Sequence, residues 1–148
     1  MKHTPIIDGL VRAIELEKTV VAYYKEAHTK GRTGEIARIM QRLEDSHFII
    51  LGRLKSRKEE LEHQQGEGLL GNMLQSIGQA IVDTVAGLPV GAIHAETDPT
   101  ISMLVRSEQE LRAHYEHLLP LADPDTLSLI EAGIRNVDAS LQHLQELA

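Results

Sequence analysis

The chain contains no cysteine, which excludes disulfides, iron–sulfur clusters and thiol chemistry and leaves the redox compartment open. Aromatic side chains are almost as scarce, at 3% of residues, so any core has to be assembled from Leu, Ile, Val, Ala and Met. Positive charge is in deficit. Fifteen Lys and Arg stand against 22 Asp and Glu, a formal charge of -7, which argues against a nucleic-acid partner or an anionic membrane surface while leaving carboxylates to attract cations. No signal-type apolar block follows Met1-Lys2-His3-Thr4-Pro5, and neither a Gly-rich phosphate loop nor a nucleophile motif stands out. A cytoplasmic protein is the expectation.

What the chain does have is helical periodicity. Its 148 residues, 42% of them hydrophobic, suffice for one domain spanning 1–148 with a real core. Ile7, Leu10, Ile14, Val21 and Tyr24 recur at steps of three and four, with Glu17 filling the missing core step, and predict a helix over about 5–29. Thr4-Pro5 supplies its cap and first-turn proline. Lys30 to Gly34 reads as a turn. A second helix follows over about 35–64 on Ile36, Ile39, Leu43, His47, Ile50, Leu54 and Leu61, with Gly66 and Gly68 marking its end. Asp98-Pro99 repeats the cap-plus-proline device before a third helix on Ile101, Leu104, Leu111, Tyr115 and Leu118, with Glu108 in its core step and Pro120 at its end. Asp123-Pro124 opens a fourth, whose inward stripe, Leu127, Ile130, Ile134, Val137, Leu141 and Leu144, reads as wholly apolar.

Residues 69–93 stand apart. Leu70, Met73, Leu74, Ile77, Ile81, Val85 and Leu88 alternate with Asn72, Gln75, Gln79 and Asp83, too polar a pattern for a transmembrane span and too poor in Lys and Arg for a typical interfacial membrane helix. The expectation is a long crossover containing an extra helix, packed on the bundle or on a second subunit, which makes a homodimer through 69–93 the expected assembly. About twenty helical residues cover roughly 30 Å, enough to return the chain along a bundle.

A gapless shift of 91 residues lays Leu10 on Ile101, Glu17 on Glu108, Tyr24 on Tyr115, Ile39 on Ile130 and Leu43 on Ile134. The molecule is therefore expected to be two similar helical hairpins. The same shift lays Glu44 on Arg135 and His47 on Asp138, so the halves disagree there. Counted from the turns, Glu17, His47, Glu108, Arg135 and Asp138 fall near one level, and Glu44 shares a helix face with His47. Buried carboxylates without partners cost several kcal/mol each. Two explanations are open: a divalent iron, manganese or zinc ion held by Glu17, Glu44, His47 and Glu108, with Asp138 as a further candidate, or neutralisation by Arg135 without metal. Tyr24 and Tyr115, two turns or about 10 Å from Glu17 and Glu108, are expected to be core residues with satisfied hydroxyls. Glu110, His114 and His117 read as a solvated face.

The pattern Glu17, Glu44-x-x-His47 and Glu108 on hairpin, crossover and hairpin resembles the ferritin-like superfamily. Glu108 to Tyr115, followed by Leu118-Leu119-Pro120, resembles a bacterial ferritin-like family of unknown function. The resemblance implies an all-α antiparallel four-helix bundle and, in intact members, a carboxylate-bridged di-iron centre with two Glu-x-x-His units. The second unit is missing here, since Asp138 is followed by Leu141 at the third position. A single-metal or vestigial site, with oxygen or peroxide chemistry if catalytic, is what the resemblance then implies. A non-catalytic scaffold held by Arg135 is the competing class. A more remote resemblance, to the demethoxyubiquinone hydroxylases, implies a membrane-associated di-iron protein.

Overall fold

The structure, a computed structural model, describes residues 5–29, 34–64 and 100–147. These form four α-helices and no strand: α1 Pro5–Thr29, α2 Gly34–Gln64, α3 Ile101–Leu118 and α4 Pro124–Leu147, with a single 3-10 turn at Leu119–Leu121. None of the described helices is long and apolar enough to cross a membrane. Residues 69–93, on which both the dimer and the membrane expectations rest, lie outside the described residues.

The local signals act largely where the chain chemistry places them. Pro5 and Pro124 occupy first helical positions, where the missing N–H costs nothing. Thr100 is the N-cap of α3, its side chain accepting from Met103 N at 3.1 Å, one residue before the helix begins; Asp98-Pro99 lies outside the described residues. Gly34 opens α2 at φ +70, a left-handed conformation that a Cβ would strain.

α1 packs on α2 and α3 on α4, and the hairpins meet through α1 against α3 and α2 against α4. Gly9, near the start of α1, receives Leu118 at the end of α3, and His114 Nε2 donates to the Gly9 carbonyl at 2.8 Å. Those contacts make α1 and α3 antiparallel and take His114 off the solvated face expected for it. Arg57, late in α2, donates to Asp123 Oδ2 at 2.6 Å and Thr126 Oγ1 at 2.8 Å at the start of α4, so α2 and α4 are antiparallel too. It follows that α2 and α3 run in the same direction: α2 finishes at one end of the bundle and α3 starts at the other.

The core is aliphatic, as the scarcity of aromatics requires. Leu10, Ala13, Ile14, Val20, Met40, Leu43, Leu54, Leu104, Leu111, Leu118, Ile130, Val137 and Leu144 are buried in one cluster with Tyr24 and Tyr115. Each fully buried Leu, Ile or Val contributes about 1.5–3 kcal/mol relative to exposure. Three expectations are corrected. Val21 is only half-buried, and Val20 holds the inward step of α1. Ile36 is 42% exposed, and Met40 takes its place inside. The α4 stripe is not wholly apolar: its innermost residues are Thr126, Ile130, Gly133, Val137, Ser140 and Leu144, with Leu127, Ile134 and Leu141 half-buried on the flanks. The small residues are there because larger partners need the space. A Cβ at Gly133 would come within 2.7 Å of Tyr115 Cζ.

Candidate functional site

Midway along the bundle the aliphatic core gives way to one polar layer. Glu17 of α1, His47 of α2, Glu108 of α3 and Ser140 of α4 are each completely buried. His47 lies between the two carboxylates. Its Nδ1 is 2.7 Å from Glu17 Oε1, and its Nε2 is 2.7 Å from Glu108 Oε2. A carboxylate oxygen accepts, so each ring nitrogen is placed to donate to the one it faces. Burial pulls its pKa down, but the hydrogen bonds and charges of Glu108 and Glu17 prevail and raise it to about 10.

The two tyrosines complete the layer by crossing between hairpins. Tyr24 OH donates to Glu108 Oε2 at 2.5 Å, and Tyr115 OH donates to Glu17 Oε2. Each tyrosine thus serves the glutamate of the other half. The geometry follows from the repeat: the same seven-residue offset separates glutamate from tyrosine on both helices, and because α1 and α3 are antiparallel, each offset cancels the other. Burial first, then the charge of the carboxylate it faces, holds each phenol well above its ordinary pKa, so both remain donors. The Tyr24 ring also lies nearly parallel to His47, with centroids 5.7 Å apart and planes at 18°, a cation–π arrangement. Ser140 Oγ approaches His47 Nε2 at 3.3 Å and donates to Asn136 O at 3.0 Å.

The structure brings together Glu17, His47 and Glu108, and leaves out Glu44, Asp138 and Arg135. Glu44 is three residues from His47, but its carboxylate turns to the flank between α1 and α2, where Oε1 meets His28 Nε2 at 2.5 Å. Asp138 lies on the outer side of α4, where Arg112 Nε donates to its Oδ1 at 2.7 Å and holds its carboxyl below the usual range. Arg135 is exposed and does not neutralise the layer. The side chain set between the carboxylates is His47 instead, an imidazole short enough to fit between α1 and α3 with both nitrogens bonded. Tyr24, Tyr115 and Ser140 belong to the layer although periodicity alone marked the tyrosines as core and omitted the serine. The signal that finds the tyrosines is the doubled glutamate-to-tyrosine spacing.

A metal fits this arrangement poorly. Glu108 Oε1 is buried without a partner, the one atom here that invites a further cation. Against it, the two carboxylates approach opposite nitrogens of one ring, so Glu17, His47 and Glu108 do not converge on a point. On the Glu108 side a cation would find one nitrogen and one carboxylate, with the Tyr24 phenol and the Ser140 hydroxyl beside them, short of the three or four His, Cys and carboxylate ligands usual for zinc and far short of a di-iron set. Among the described residues no group of three or more His, Asp and Glu is arranged to hold a metal ion. No protein-family model, curated protein or solved structure matches the chain.

Proposed function

We propose that this protein is a ferritin-like helical bundle acting as a non-catalytic scaffold or interaction module, with the Glu17–His47–Glu108 layer as the clasp between its hairpins. One observation carries the reading: every donor in the layer is consumed by an acceptor within the bundle, and the layer is sealed from solvent. Four of its five side-chain hydrogen bonds, His47 with Glu108, His47 with Ser140, Tyr24 with Glu108 and Tyr115 with Glu17, join one hairpin to the other. A groove of about 770 Å³ between α2 and α4, lined by Ile49, Gly52, Arg53, Ser56, Asp125 and Leu129 among others, contains none of the layer residues. The test is oxygen and peroxide consumption by the full chain supplied with Fe(II), Mn(II) or Zn(II), beside Glu17→Ala. No difference is expected. Turnover that the substitution abolishes would sink the scaffold reading.

The second reading is a ferritin-like protein binding a single iron, manganese or zinc ion at Glu108 and His47, and the unpartnered Glu108 Oε1 favours it. Elemental analysis of protein purified without a histidine tag decides between the two, since stoichiometric metal lost in Glu108→Gln belongs to the second alone.

A further inference from the structure

We propose that His47, protonated at both ring nitrogens, is the resident cation of this bundle and occupies the place that a metal ion takes in a carboxylate-lined helical core. The inference deepens the clasp reading and rests on it. The groups facing the ring are known from every helix. α1 contributes Glu17 and Tyr24, α3 contributes Glu108, with Tyr115 reaching Glu17, and α4 contributes only the neutral Ser140. On α2 itself, Glu44 is turned away to His28. The basic side chains nearest in sequence logic are accounted for elsewhere: Arg112 is held by Asp138 and Glu116 outside the core, and Arg135 is exposed. Within the layer, two acidic groups therefore face a single positive one.

A metal and this proton pair exclude each other. Coordination needs the lone pair of a ring nitrogen, and each nitrogen faces its own carboxylate oxygen 2.7 Å away, the geometry of a proton held between them. To enter at Nε2, an ion has to expel the proton shared with Glu108, part that carboxylate from the ring, and still gain no third His, Asp or Glu. The imidazolium, by contrast, is covalently part of α2, needs no uptake from solution and donates along the two directions in which the carboxylates lie. The missing second Glu-x-x-His unit and the outward turn of Glu44 then have one explanation: the layer is completed by a proton-bearing side chain, and ligands for a second or third coordination position are superfluous.

The test reads the ring nitrogens directly. The full chain, purified without a histidine tag and treated with chelator, is labelled with 15N in its eight histidines and examined by long-range 15N–1H NMR at pH 8. The His47 signals are those lost in His47→Gln; should that variant not fold, Glu17→Gln identifies them by moving the Nδ1 resonance alone. Both His47 nitrogens are expected to carry protons at pH 8, where exposed imidazoles are neutral, and to keep them in tenfold excess Zn(II) or Mn(II). An unprotonated nitrogen at pH 8, or loss of the Nε2 proton on adding metal, overturns the inference. These outcomes are separable from failure of the scaffold reading, which is decided by layer-dependent turnover and not by the state of the ring.

Discussion

Raising the pH from 7 to 9 is expected to destabilise this protein by about 2–3 kcal/mol through one side chain. The pKa of His47 rises from 6.5 in the unfolded chain to about 10 in the folded one. Between those values the folded state holds a proton that the unfolded state has released, so stability falls with rising pH by about 1.4 kcal/mol per pH unit. The contribution is fully present below pH 6.5, where both states are protonated, and is lost as pH passes through about 10. The whole gap corresponds to about 5 kcal/mol, a large share of the 5–15 kcal/mol typical of a domain. Urea unfolding followed by circular dichroism at pH 7, 8 and 9 measures it, with His47→Gln as the reference in which this term is absent. A wild-type stability that is flat or rising over this interval refutes the reasoning, as does an equal slope in His47→Gln. Either result would mean that His47 is neutral in the fold and that the carboxylates are balanced by something else.

Removing the tyrosine hydroxyls should have unequal effects. Tyr115→Phe leaves Glu17 Oε2 without the hydroxyl that serves it and should cost about 3 kcal/mol, whereas Tyr24→Phe leaves Glu108 Oε2 still bonded to His47 and should cost about 1.5 kcal/mol in the same urea assay. Two glycines should respond with opposite sign. Gly133→Ala drives a Cβ to 2.7 Å from Tyr115 Cζ and should destabilise by about 1–3 kcal/mol, while Gly52→Ala, with nothing within 4 Å, should stabilise α2 by about 0.5–1 kcal/mol; a stabilising Gly133→Ala would show that the tyrosine can step aside. Asp138→Asn breaks an exposed pair with Arg112 and should change thermal stability by less than about 1 kcal/mol. A loss as large as that of Glu17→Gln would place Asp138 in the clasp after all.

Much of the architecture can be read from spacing. The four described helices and the two-hairpin repeat follow from steps of three and four, and the proline starts of α1 and α4 lie where expected, while α3 begins at Ile101 behind the Thr100 cap. The inward position of Glu17, His47 and Glu108 is legible for the same reason, since each fills a step that an apolar residue would otherwise take. The α4 stripe is less legible because Thr126, Gly133 and Ser140 sit inside for the sake of their neighbours, Arg57 and Tyr115 among them, and not for their own hydrophobicity. Ile36 fails in the reverse sense: it lies in the first turn of α2, where the apolar periodicity already runs but the side chain is exposed.

The sequence alone determined that Glu17, His47 and Glu108 face inward, because each fills a core step of its own helix. It also required that the carboxylates of the layer meet a positive charge. Which charge it is depended on tertiary structure. Glu44 and His47 were expected to share a helix face, yet one meets His28 and the other lies between Glu17 and Glu108. The antiparallel offset of α1 and α3 likewise decided that each tyrosine answers the other hairpin's glutamate. Spacing along a helix fixes direction, but partnership is fixed by distances between helices, and only the packed bundle sets those.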